Sequence, residues 1–189
     1  MELREFVEKT LDLFEIDDVS KLSENLMQVV IHNDTEKYSA FVDIVKDLSV
    51  DWLQKIFQYY EADRKNKMQD YTPTSLARFM GMLAGNSDTV IDMCAGSGAL
   101  TIQRWNLNNE TEFLLYEFDK KVIPFLLFNM ALRNIKCVVC HSDVLQQEVY
   151  HTYSVKKGER FGVVKEEENE LHINFCLLYT SPSPRDTER

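Results

Sequence analysis

The chain has 189 residues, 44% of them hydrophobic and 28% charged, and a formal net charge of -10. This is ordinary globular composition, enough for one domain plus a small addition, and no apolar run approaches the about 18 residues that a membrane span needs. The acidic balance argues against this segment being the main grip on nucleic acid, because such grips neutralise phosphates with clustered Lys and Arg. The start, Met1-Glu2-Leu3-Arg4-Glu5, carries acids where a secretory signal would be basic and then apolar, so a cytoplasmic protein is expected.

Residues 1–65 read as a helical N-terminal region. Phe6, Leu11, Leu13 and Phe14 recur near helical spacing, as do Leu22, Leu26, Val29 and Val30. Ser20 is the expected N-cap of the second helix, with Ser23 and Glu24 close to a capping box. Asp34 or Thr35 caps a third helix through Phe41, Ile44, Val45 and Leu48, and a fourth runs from about Val50 to Tyr60. The stretch holds neither Pro nor Gly, which suits a helical bundle packed against the next domain. Glu61 to Asp70 is polar and reads as a connection.

From Tyr71 the pattern changes. Pro73 fits the first turn of a helix capped by Thr72, and Leu76, Phe79, Met80 and Leu83 give that helix one apolar face. Gly85-Asn86-Ser87-Asp88 ends it. Thr89 to Met93 is a short strand, Cys94 to Gly98 a tight loop of small residues, and Ala99 to Trp105 a helix. Glu112 to Glu117 is a second strand, Lys120 to Arg133 a helix, and Lys136 to Cys140 a third strand that ends at His141-Ser142-Asp143. This alternation predicts a doubly wound α/β sheet of about three parallel strands. The first strand is expected at an edge. Beyond Leu145 the signal weakens: Lys156-Lys157-Gly158-Glu159 reads as a turn and Glu166-Glu167-Glu168 as a solvated loop. Cys137 and Cys140 form a Cys-x-x-Cys with no second pair and no His at ligand spacing, so they read as residues of a buried strand and no metal is expected.

The chemistry concentrates in Asp92-Met93-Cys94-Ala95-Gly96-Ser97-Gly98, between a strand and a helix. Gly96 and Gly98 remove Cβ atoms where a ligand must approach backbone, and amides at the start of the next helix can bind a carboxylate or a phosphate. Glu117 ends the second strand, where an acid can accept from ribose hydroxyls. Asp143 ends the third, on the same carboxyl edge. A nicotinamide or flavin site would place a third Gly where Thr101 stands, and the Asp92 carboxylate would repel a diphosphate. S-adenosylmethionine, with its ammonium and sulfonium and no phosphate, suits the pocket better.

These motifs, in this order, resemble those of the adenine-specific (N6) DNA methyltransferases, in particular the type I modification subunits and their mobile-element relatives. The likeness runs from about Gln69 to Val144. Tyr71-Thr72-Pro73 looks like the family segment that packs over the methionine part of the cofactor. Asp92 to Gly98, including Ala95 and Ser97, looks like the cofactor loop. Glu117 matches the ribose-binding acid, and Ser142-Asp143-Val144 the segment that holds the cofactor's adenine ring. The resemblance implies the front part of a Rossmann-like class I methyltransferase sheet preceded by a helical bundle, with S-adenosylmethionine as cofactor. It implies methyl transfer to the exocyclic amine of adenine in DNA, with DNA and a specificity or restriction subunit as partners.

One departure is large. The family's next strand ends in Asn-Pro-Pro-Tyr or Asp-Pro-Pro-Tyr, the motif that receives a flipped-out base, and neither occurs here. No catalytic residue is therefore assigned. Cys176 to Asp186, Cys-Leu-Leu-Tyr-Thr-Ser-Pro-Ser-Pro-Arg-Asp, resembles the translation of a transposase-type sequencing adapter. The expectation is a methyltransferase domain over 66–175, incomplete and inactive by itself, and a non-native tail over 176–189. The alternatives are a methyltransferase of the same fold acting on RNA, protein or a small molecule, and a cofactor-binding subunit without catalysis.

Overall fold

A computed structural model describes residues 2–60, 72–85 and 87–167. Four helices come first: α1 (Leu3–Phe14), α2 (Leu22–His32), α3 (Thr35–Val45) and α4 (Trp52–Tyr60). Helix α1 buries Phe6, Val7, Thr10 and Phe14 along one stripe. The cap of α3 is Asp34, whose carboxylate accepts from the amides of Glu36 and Lys37. The start of α2 differs from expectation. Asp18, not Ser20, supplies the acceptor: its carboxylate takes the Ser20 amide. This winds a 3-10 turn over Val19–Lys21 ahead of α2, because a carboxylate two residues upstream closes a local turn more strongly than a hydroxyl does.

Helix α5 (Thr74–Leu83) is next in the chain. Pro73 stands at its N-cap and no side chain, Thr72 included, caps it. Its packing face is not the apolar stripe. Ala77 and Gly81 are the buried positions, while Leu76, Phe79, Met80 and Leu83 are 47–64% exposed. The cause is close approach to the next helix, α6 (Ala99–Leu107): a Cβ on Gly81 would stand 3.2 Å from the Arg104 backbone nitrogen.

The sheet has five strands in the order β1 (Thr89–Asp92), β2 (Glu112–Glu117), β3 (Cys137–Asp143), β4 (Glu148–Lys156) and β5 (Val163–Glu167). The pairs β1/β2 and β2/β3 are parallel, joined by α6 and by α7 (Ile123–Leu132). β1 forms one edge of the described sheet, as expected. The region beyond Leu145 holds more structure than its sequence signals. It forms an antiparallel hairpin, β4 on β3 and β5 on β4, with residues 157–162 as its connection. Glu166 and Glu167 lie in β5, not in a loop, paired opposite Tyr153 and Thr152. Their polarity suits the open end of an edge strand whose Val164 alone is buried in the core.

Both crossovers step the same way across the sheet, so α6 and α7 cover the same face. Ile102 of α6, Leu126 and Met130 of α7, and Phe113, Leu115, Cys137 and Val139 of the strands share one core. The other face carries a small cluster of Tyr116, Cys140, Leu114, Val138, Met93, Val144 and Val149. No described helix contributes to that cluster, so the described residues show a sheet wound on one side only. Cys137 and Cys140 belong to opposite faces, as an odd separation in a strand requires, so their thiols cannot converge on one ion.

Helix α7 is buried at every position from Ile123 to Leu132. A helix that is apolar all round has to be covered on all sides, and here the sheet takes one flank and the N-terminal helices the other. Phe6, Leu26, Phe41 and Phe57 join α7 in the same hydrophobic cluster as the sheet. The boundary expected near residue 65 falls outside the described residues, and the helices before it share their core with the sheet.

Phe128 is the hub. It is fully buried and its ring meets Tyr38 at 5.0 Å, Phe41 at 5.2 Å and Phe14 at 5.9 Å. Phe128→Ala should therefore cost about 3–5 kcal/mol of stability, measured by chemical denaturation. A loss below about 1 kcal/mol would show that the helices and the sheet do not fold as one core.

Candidate functional site

The loop after β1 is built by its backbone. Gly96 (φ 55) and Gly98 (φ 98) both take left-handed conformations, open to glycine at low cost. The Ala95 amide donates to the Tyr116 carbonyl of β2 at 2.8 Å, and the Gly98 amide to the Ala95 carbonyl at 2.9 Å. The turn is thus stitched to the sheet and delivers the start of α6 at the carboxyl edge. Gly98 is the N-cap of α6, and no side chain caps that end. The amides of the first turn therefore remain available to an acceptor from outside.

Asp92, Glu117 and Asp143 are the last residues of β1, β2 and β3. Glu117 is bonded directly to the loop: its Oε2 accepts from the Gly96 amide at 2.8 Å, and its Oε1 from the Asp119 amide at 2.7 Å. Each oxygen keeps further acceptor capacity. Asp92 accepts from the Cys94 amide at 3.1 Å. Burial pushes both carboxyls above the usual range, against the backbone bonds that pull them down. The Cys94 thiol is likewise raised by burial and by its neighbours Glu117 and Asp92.

Asp143 is bonded to its own turn and not to the glycine loop. Its Oδ1 accepts from the amides of Leu145 and Gln146 and so shapes the turn into β4. Val144 packs with Tyr116 and Cys140 on the helix-free face. Thr72 is half-buried and Pro73 exposed; Tyr71 lies outside the described residues. Phe118, directly after Glu117, is 59% exposed, and its carbonyl lies 3.2 Å from His141 Nε2.

Ser97 leads to residues that sequence reasoning does not select. Its hydroxyl donates to Asp51 Oδ2 at 2.6 Å, and Asp51 is only 4% exposed. Asp51 Oδ1 accepts from the Gln54 amide and from Asn129 Nδ2, both at 2.9 Å. Asn129 also donates to the Ser97 carbonyl at 2.8 Å. Its Oδ1 accepts from Arg133 Nη1 at 2.8 Å. Arg133 then reaches the carbonyls of Leu48 and Val50. Burial pushes Asp51 up, while Ser97, Arg133, Gln54 and Asn129 pull it down. Burial also lowers Arg133 to about 10, opposed by the charges of Asp51 and Asp47. One signal is present in the sequence: a polar Asn129 and an Arg133 in or beside a helix too apolar to have a solvent face must find buried partners.

A family model described as N-6 DNA methylase matches residues 22–165, and the chain belongs to that family. The match begins at α2, so it includes the helices ahead of the glycine loop as well as the sheet. No curated protein and no solved structure matches the chain.

Gly98 offers a direct test of the loop. A Cβ there would lie 2.7 Å from Met130 Cε and 3.1 Å from Leu126 Cδ1. Both are ends of flexible side chains that can move, but the positive φ stays. Gly98→Ala should cost about 1–2 kcal/mol in thermal unfolding and turn the first amides of α6. An unchanged midpoint would show that the loop does not hold this conformation in solution.

Proposed function

We propose that this site holds S-adenosylmethionine for methyl transfer to the exocyclic amine of adenine in DNA. The bond between Glu117 and the Gly96 amide carries the reading: it joins the end of β2 to the glycine loop and holds the acid beside the turn at the carboxyl edge. The residues fit the cofactor. Two desolvated carboxylates suit a cation and repel a diphosphate. Glu117 keeps lone pairs for ribose hydroxyls. The uncapped start of α6 suits the amino acid carboxylate. Asp143 would accept from the adenine amine, with Val144 beside it. Tyr71, Thr72 and Pro73 would cover the methionine part.

Bound S-adenosylmethionine supplies a methyl group on a sulfonium. The chain's residues would orient it: Glu117 would hold the ribose, the start of α6 the carboxylate, and Asp92 would favour the positive end. The rate then comes from positioning and charge placement rather than from a covalent intermediate. DNA, with a specificity or restriction subunit as a further partner, would meet surfaces other than this acidic one.

A second reading has one observation in its favour. No Asn-Pro-Pro-Tyr or Asp-Pro-Pro-Tyr occurs in the 189 residues, which suits a cofactor-binding unit without catalysis of its own. On that second reading, incubation with methyl-labelled S-adenosylmethionine and adenine-containing DNA transfers no label, while binding persists. Label appearing in the DNA would refute the second reading.

Calorimetry tests the cofactor. Asp92→Ala and Glu117→Ala should each weaken S-adenosylmethionine binding by about tenfold or more with the fold retained. Tight binding of NAD with no response to S-adenosylmethionine would overturn the reading. The pH dependence has a definite sign. The ligand selects ionised carboxylates, and in the free protein both are harder to ionise than ordinary ones. Affinity should therefore fall with falling pH, beginning above the ordinary carboxylate range, and Glu117→Gln should flatten that fall.

A further inference from the structure

We infer that Asp51 is a positioning residue for the glycine loop, acting as a directional bracket and not as a charge. The inference rests on the reading of that loop as the S-adenosylmethionine site. Asp51 precedes α4 and accepts the Gln54 amide, as an N-cap does. It nonetheless gives its other oxygen to Ser97, in the middle of the loop. Asn129 completes the bracket by donating to the Asp51 carboxylate and to the Ser97 carbonyl. Ser97 is thereby held at both its side chain and its backbone, one residue from each of the two left-handed glycines.

The loop that carries Asp51 is itself fixed. The Ser49 carbonyl accepts from Gln103 at 2.7 Å and Asn106 at 2.9 Å, both on α6. The Leu48 and Val50 carbonyls accept from Arg133. Three successive carbonyls ahead of Asp51 are thus tied to the helices that flank the cleft. One turn into α4, Gln54 Nε2 lies 3.5 Å from the Thr72 carbonyl. The start of α4 therefore touches both the glycine loop and the Thr72-Pro73 segment, which the proposed function places on two sides of one ligand.

The donor pattern says what the position needs. Oδ1 takes two N–H donors, which can only donate. Oδ2 takes a hydroxyl, which can turn and accept instead. An asparagine with its oxygen at the Oδ1 place and its nitrogen at the Oδ2 place would keep all three bonds without the charge. Alanine would keep none, leaving the Ser97 hydroxyl without its acceptor and Asn129 with the Ser97 carbonyl alone.

The experiment uses the full chain and two readouts: amide hydrogen exchange of the 94–100 segment, and calorimetric titration with S-adenosylmethionine. Asp51→Ala should speed exchange in that segment and weaken binding about tenfold or more, while amides of β2 and β3 stay protected. Ser97→Ala, which removes only the loop's arm, should act in the same direction if Asp51→Ala proves too unstable to study. Asp51→Asn should restore both readouts to within about twofold of the natural chain. Unchanged loop exchange in both Asp51→Ala and Ser97→Ala would overturn the bracket. Equal damage from Asp51→Asn would overturn its directional character and make the charge the requirement. Should the natural chain fail to bind S-adenosylmethionine while the exchange pattern holds, the cofactor reading falls and the bracket stands.

Discussion

The structure depends on one constraint: a carboxylate and a guanidinium, both buried, that must be fully partnered where they stand. Asp51 and Arg133 do not touch as an ion pair. Asn129 lies between them, donating to one and accepting from the other. Such a relay makes burial tolerable, since a buried polar group left without hydrogen-bond partners costs several kcal/mol, and it is strict about geometry. Each group must sit where its neighbours' lone pairs and protons point. The relay lies where α4, α6, α7 and the glycine loop converge. Apolar packing of α7 brings these elements together, and the polar relay decides their register.

A similar use of side-chain amides holds the far edge of the sheet. Asn33 and Asn134 both occupy left-handed positions. Asn33 accepts the Val164 amide and donates to the Val164 carbonyl, so its side chain pairs with the outer edge of β5 as a strand would. Asn134 makes the matching pair with Gly158 in the hairpin connection. An exposed strand edge invites further pairing, and here a helix C-cap residue closes part of it. The cost of φ > 0 is small for asparagine, which is why one residue type serves both as cap and as plug.

How much of this is legible in the sequence depends on sequence distance. The glycine loop, Glu117 and Asp143 can be read because each lies at the end of a β-type run, and strand ends of a parallel sheet share an edge. The relay cannot be read in the same way. Its members are brought together across 46 and 78 residues, and no periodicity links them; only the polar residue in an apolar helix hints at it. The hairpin β4–β5 escapes a sequence reading because acidic residues in its last strand resemble a loop when pairing is unknown. The face of α5 misleads for the opposite reason. A stripe of Leu, Phe and Met suggests burial, but Ala77 and Gly81 permit the closer helix contact, and proximity decides which face turns inward.

Charge links the site to the rest of the molecule. The chain carries a net charge of -10, and at the carboxyl edge burial makes the Asp92 and Glu117 carboxyls reluctant to ionise. Such a field draws cations in and keeps phosphates out. A ligand bearing a sulfonium and an ammonium would favour the ionised form of those carboxyls, whereas a nucleic acid backbone would oppose it. On the proposed reading, the two substrates of methyl transfer therefore demand surfaces of opposite sign. On the same reading the acidic edge would serve the cofactor, and the phosphates of DNA would require basic groups placed away from it. A reaction between a cation and a polyanion gains from that separation, because neither site weakens the field of the other.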